Sequence, residues 1–159
     1  MVEEDKSDLS ADLLLQAARY APHVIPLVQE CVETLLRLNR PAQAAGLLNE
    51  VPPDVQQNGR IGMLRVRAGL ALGDTSEAEH YFGTGVTVDD IREGEISVTD
   101  VWYQWQALLR SKETGVPFSE ELTEQLRNEV DPPNQYDFRL YTRPKHGQPT
   151  ATEVAPMPN

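Results

Sequence analysis

A single cysteine and a shortage of basic residues distinguish this sequence. Cys31 is alone, so the chain forms no internal disulfide, and its apolar neighbours indicate a small buried hydrophobe instead of a catalytic thiol. The 14 lysines and arginines face 25 aspartates and glutamates, which gives a net charge of −11. Nucleic acids and anionic membranes attract clustered Lys and Arg side chains. We therefore expect neither a nucleic acid nor a membrane as a partner.

Long apolar runs are also missing. No segment approaches the roughly 18 apolar residues of a membrane span, and the acidic start at residues 1–6 is the opposite of a basic secretory leader. The 159 residues are enough for one domain of ordinary size. We expect a soluble, cytoplasmic protein.

Catalytic and metal-binding motifs are absent from the sequence as well. It contains no Ser/His/Asp signature, no Gly-rich phosphate loop and no pair of cysteines. Glu77 and His80 have the spacing of a carboxylate-bridged metal motif, but only one copy exists, and His23 and His146 do not form a visible cluster with it. We predict that the chain is not an enzyme and binds no metal or cofactor.

Two segments of the sequence repeat each other. LeuAsnArg at 38–40 and LeuGlyAsp at 72–74 are followed by similar residues at equal spacing, and the offset is 72 − 38 = 34 residues. A 34-residue period is typical of the tetratricopeptide repeat, a pair of antiparallel helices. The sequence resembles this family over roughly 25–130. The resemblance is carried by Leu38, Asn39, Ala44 and Leu48 in the first copy and by Leu72, Gly73, Ala78 and Phe82 in the second.

The apolar periodicity agrees with helical hairpins. It predicts helices at about 10–20, 26–38, 42–50, 57–72 and 75–84, another from about 98, and a last one at about 119–129. Ser119 is the predicted N-cap of the last helix, and Gly73 stands where a helix end favours positive φ. The predicted fold is all-α, a right-handed α-solenoid of about three hairpins over 9–140, with disordered termini at 1–8 and 141–159.

The third hairpin is out of phase with the first two. If Trp102 occupies the position of Gly62, the offset is 102 − 62 = 40, which is the 34-residue period plus six. The extra residues lie within 85–97, which we interpret as a loop. The segments 91–103 and 132–140 also resemble the C-terminal region of large bacterial proteins, in which a mutarotase-like domain of unknown function precedes tetratricopeptide repeats. That resemblance implies that this chain is the repeat portion alone.

The family resemblance points to binding of a protein or peptide along the first helices of the hairpins. Gln29 and Glu33 stand where relatives that clamp a C-terminal carboxylate use Lys and Asn, which argues against that clamp. The alternative is a solvated helix face without a ligand, which the sequence leaves open. The groove positions implied by the alignment are Gln29, Glu33, Arg37, Arg60, Met63 and Arg67.

Two further groups are secondary candidates. Trp102 and Trp105 lie three residues apart on one helix face, as in a core anchor or a platform for a sugar. A sugar site would make the chain an accessory or dimerising domain of a carbohydrate-active bacterial protein, and open hydrophobic ends would favour self-association. The second group is the charged loop, which is the other candidate contributor to such a sugar site and contains Asp89, Asp90, Arg92, Glu93 and Glu95.

Overall fold

The computed structural model describes residues 2–84 and 97–139, and every regular element within these ranges is helical. The predicted all-α class is confirmed for this part of the chain. In chain order the helices are α1 (Val2–Tyr20), α2 (Ile25–Arg37), α3 (Pro41–Glu50), α4 (Pro53–Gln56), α5 (Gly59–Ala71), α6 (Ser76–Gly83), α7 (Ser97–Thr114) and α8 (Glu120–Glu129), followed by a 3₁₀ turn at Asn134–Tyr136. Residues 85–96 and the predicted tail at 141–159 lie outside the described residues.

Neighbouring helices along the chain pack on one another. Helix α2 packs against α3, α5 against α6, and α7 against α8. Between these pairs, α5 contacts α2 on one side and α7 on the other, and α1 covers α2 and part of α3. Helices α2, α5 and α7 therefore follow one another as neighbours.

Helix α1 begins well before the start that the sequence predicts near Ser10. The structure has a helix from Val2, where the sequence predicts a disordered segment at 1–8. Arg40, which precedes α3, donates to the Asp8 carbonyl oxygen at 3.5 Å and pairs with the Asp12 carboxylate. This contact comes from about 30 residues away, so local periodicity does not reveal it. Acidic residues near a helix N-terminus are also favourable because of the helix dipole.

The ends of α2 and α5 have the same conformation. Asn39 has φ 57° and Gly73 has φ 77°, and the two residues lie 34 positions apart (73 − 39 = 34). The positive φ predicted for Gly73 is therefore confirmed. Each turn has the two hydrogen bonds of a Schellman motif. These are Asn39 N to Leu36 O at 3.0 Å and Arg40 N to Leu35 O at 2.8 Å, then Gly73 N to Leu70 O at 3.0 Å and Asp74 N to Gly69 O at 2.9 Å.

Two hydrophobic clusters share helix α5. The first contains residues of α1, α2, α3 and α4 together with Ile61 and Leu64 from α5. Cys31 lies in this cluster, fully buried as predicted, and burial raises the pKa of its thiol to about 11. The second cluster contains Met63 and Val66 from α5, with residues of α6, α7 and α8 and with Tyr136. Helix α5 is therefore apolar on two sides, and each side faces a different core.

Arg65 joins three helices through its guanidinium group. Its guanidinium donates to the Leu48 carbonyl oxygen at 3.1 Å and to Asn49 Oδ1 at 3.0 Å, both near the end of α3. It also lies 3.7 Å from the Glu77 carboxylate on α6. The last carbonyl groups of a helix have no partner within the helix. Arg65 thus connects α5 to the end of α3 and to α6.

Candidate partner-binding groove

A cavity of about 270 Å³ lies where α2, α5 and α7 meet the connection between α7 and α8. We call it the α2/α5/α7 groove. Five of its seven lining residues are apolar, and the two polar ones are an arginine and a glutamine. The lining residues are Leu36, Arg67, Leu70, Ala71, Gln104, Leu108 and Phe118.

Helix geometry explains why these residues share the groove. Leu70 and Ala71 follow Arg67 by three and four positions, so all three lie on one face of α5. Gln104 and Leu108 have the same relationship on α7. The groove is therefore formed by helix faces that the periodicity of each helix aligns.

Phe118 comes from a different kind of element. Gly115, with φ 72°, ends α7, and residues 115–119 connect it to α8. Phe118 lies in this connection and keeps 49% of its surface exposed. A large aromatic ring at the edge of an apolar cavity is a typical anchor for a ligand.

Arg67 differs electrostatically from the other arginines. Within residues 2–84 and 97–139 it is the one arginine with neither an ion pair nor a hydrogen-bond partner. It is half-buried, and its neighbours in the groove are five apolar residues and Gln104. Charge-assisted hydrogen bonds between Arg and a carboxylate are among the strong polar interactions. Arg67 is therefore placed to receive a carboxylate from a ligand.

The sequence-predicted residues on α2 lie beside the groove. Gln29 is half-buried, while Glu33 and Arg37 are exposed, and none of the three lines the cavity. Arg37 donates to Thr34 Oγ1 on its own helix at 3.1 Å. The residue that α2 contributes is Leu36, one position from Arg37.

The predicted residues on α5 have three different environments. Arg67 lines the groove, whereas Arg60 is exposed near the start of the helix and is not part of the lining. Met63 keeps only 8% of its surface exposed and belongs to the second core. It therefore does not lie on an open groove surface, because this side of α5 is covered by α6 and α7 residues.

Most of the apolar lining of the groove is absent from the residues that the sequence predicts. Leu70 is three positions after Arg67, so the i, i+3 rule applied to that residue would have found it. Leu108 follows Gln104 by four positions and shares its face of α7, but neither residue is among the predicted ones. For Phe118 no periodic signal exists, because it lies in a connection.

The two tryptophans belong to the second core. Trp102 is buried and meets the ring of Tyr103 edge to face at 5.1 Å. Trp105 is half-buried and stacks on Phe82, with 5.2 Å between the ring centroids and 14° between the planes. Neither indole lines the groove. The other secondary candidates, Asp89, Asp90, Arg92, Glu93 and Glu95, lie outside the described residues.

A larger cavity of about 670 Å³ lies between α4, α5 and α6. Glu77 and His80 both line it, and Arg65 lies beside the Glu77 carboxylate. Across the described ranges no three His, Cys, Asp or Glu side chains come together as a metal site would require. In the same part of the chain, no helix has the length and apolar character needed to cross a bilayer.

Comparisons with known proteins do not assign this chain to a family. No family model, no curated protein and no solved structure matches it.

Proposed function

We propose that this chain is a non-enzymatic protein-interaction module, and that a segment of a partner protein binds in the α2/α5/α7 groove. The proposed architecture is a tetratricopeptide-like stack of three hairpins, α2–α3, α5–α6 and α7–α8. Two observations support it: α5 contacts both α2 and α7, and identical turns follow α2 and α5 at a separation of 34 residues.

The observation that carries the proposal is the unpaired Arg67 in an apolar groove. Arg67 is half-buried and has no partner among the described residues, and Leu70, Leu108 and Phe118 line the same groove. A cation in such surroundings gains most from a carboxylate that arrives together with apolar side chains. The proposed ligand is therefore a peptide segment with a large apolar residue next to Asp or Glu.

A displayed library of short random peptides tests this ligand chemistry. Peptides selected on the unmodified protein should be enriched in Asp or Glu beside a large apolar residue. Arg67→Glu should weaken their binding by about tenfold or more, because one charge-assisted interaction is replaced by repulsion. Phe118→Ser should weaken the same peptides by removing the exposed aromatic contact.

Lys6→Glu is the matched control, since it makes the same charge change at an exposed position on α1. Its peptide affinity should equal that of the unmodified protein. Circular dichroism establishes that each variant keeps its helix content. Selected peptides that bind both groove variants with undiminished affinity would contradict the proposed site, and so would a library without binders.

A further inference from the structure

Helix α1 has large apolar side chains on its outer side. Leu9, Leu13 and Tyr20 keep 62%, 58% and 92% of their surfaces exposed. At about 100° per residue these three positions fall within roughly 40° of one another around the helix axis. We call these three residues the α1 stripe.

The opposite side of the same helix is apolar too. Ala11, Leu15 and Ala18 are buried in the first core, where α1 packs on α2 and α3. A surface helix of a globular protein normally has one apolar face and one polar face. The α1 stripe is therefore an additional apolar face that packing among residues 2–84 and 97–139 does not require.

The charges along α1 select the orientation of a partner helix. Residues 2–12 contain five acidic residues and one lysine, whereas residues 13–20 contain no acidic residue and one arginine. Asp8 and Asp12 are paired with Arg40, but the remaining acidic residues stay concentrated at the N-terminal end. Two such helices side by side repel when parallel. When antiparallel, each acidic end lies beside the end whose one charged residue, Arg19, is paired with Glu50 of α3 at 2.9 Å, and the helix dipoles also oppose each other favourably.

We propose that two copies of this chain associate through the α1 stripe, with their α1 helices antiparallel. The stripe has its midpoint between Leu13 and Gln16, so a two-fold axis at this point places Leu9 of one copy near Tyr20 of the other. Such an interface is self-complementary and closes as a dimer. It uses a different surface from the α2/α5/α7 groove, so it goes beyond the proposed function and does not depend on it.

Sedimentation equilibrium of the unmodified protein and of three variants tests the interface. The unmodified protein should be a dimer, and Leu13→Asp and Tyr20→Ser should each raise the dissociation constant by about tenfold or more, because a buried apolar contact is lost. Tyr20 is almost fully exposed, so its replacement leaves the packing of the monomer intact. Leu72→Asp is the control, since Leu72 is 51% exposed and lies outside α1. It should remain a dimer.

Crosslinking of single introduced cysteines tests the orientation. In an antiparallel pair the two copies of residue 16 lie near the two-fold axis. Packed helices are about 8–10 Å apart, so Gln16→Cys should crosslink with a bismaleimide that spans about 10 Å. The two copies of residue 5 lie on the order of 30 Å apart at 1.5 Å per residue, so Asp5→Cys should not crosslink. Cys31 is fully buried, and the unmodified protein serves as the blank.

Three results would overturn the proposal. The first is an unmodified protein that stays monomeric at high concentration. The second is a dimer that persists unchanged in both Leu13→Asp and Tyr20→Ser. The third is efficient crosslinking of Asp5→Cys, which would show a parallel pair because the two copies of residue 5 lie close together only in that orientation.

Discussion

The Tyr136 hydroxyl donates a hydrogen bond of 2.8 Å to the carbonyl oxygen of Phe82, which lies 54 residues earlier. The two rings also meet edge to face, with centroids 4.9 Å apart. Thr99 adds a second connection, because its hydroxyl donates to the Tyr136 carbonyl oxygen at 2.7 Å and accepts from Phe138 N at 2.9 Å. The segment after α8 is thereby fixed to the end of α6 and the start of α7.

Removal of the Tyr136 hydroxyl should destabilise the fold. In Tyr136→Phe the ring and its packing stay, but the buried Phe82 carbonyl group loses its partner. We expect the free energy of unfolding to fall by about 1–3 kcal/mol, as measured by urea denaturation. Tyr20→Phe makes the same chemical change at a residue that is 92% exposed, and it should leave the stability unchanged. Equal effects of the two substitutions would contradict this account of the hydrogen bond.

Two glycine-to-alanine substitutions should have opposite effects. At Gly73, with φ 77°, a Cβ is unfavourable in the left-handed conformation, so Gly73→Ala should cost roughly 1 kcal/mol. At Gly46, inside α3, an added Cβ would have no atom within 4 Å, and Gly46→Ala should stabilise the protein by up to about 1 kcal/mol through helix propensity. Thermal and urea unfolding measure both changes. A Gly73→Ala variant as stable as the unmodified protein would argue against the Schellman turn.

Burial of Cys31 should make part of the stability dependent on pH. Its pKa is about 11 in the fold, against an ordinary value of 9.0 when the chain is unfolded. Because the pKa is raised in the fold, the contribution of the buried thiol to the free energy of unfolding is fully present below about pH 9 and is lost as the pH rises through about 11. The difference in unfolding free energy between the unmodified protein and Cys31→Ala should therefore narrow over this interval. Tyr81, whose pKa is raised to about 12 by burial, is present in both proteins and cancels. A constant difference from neutral pH to about 11 would be the contrary result.

The sequence was most informative where the determining forces are local. The turn at Gly73 could be predicted because a left-handed helix end favours glycine, and Ser119 could be predicted as an N-cap because Ser side chains satisfy the first N–H groups of a helix. The structure confirms the Ser119 cap, whose Oγ accepts from Leu122 N at 3.2 Å.

Features that depend on distant residues were not predictable. The early start of α1 involves Arg40, which the periodicity of α1 does not register. The repeat alignment predicts Met63 in the groove because it gives each helix a single outer face, whereas α5 has packing partners on both sides. Arg67 could be found from its position on α5. Phe118 could not, because the path of a connection is set by the helices that it joins.

Helix α5 contributes Ile61 and Leu64 to one core and Met63 and Val66 to the other. If helices α1–α3 unfold, the second core can still pack against α5. If helices α6–α8 unfold, the first core can still pack against α5. Partial unfolding of either half therefore leaves α5 packed against the other half. A substitution in α5 can, however, alter the packing of both cores. A substitution in α5 must consequently be compatible with the packing of both cores, so fewer substitutions should be tolerated in α5 than in a helix that contacts one core.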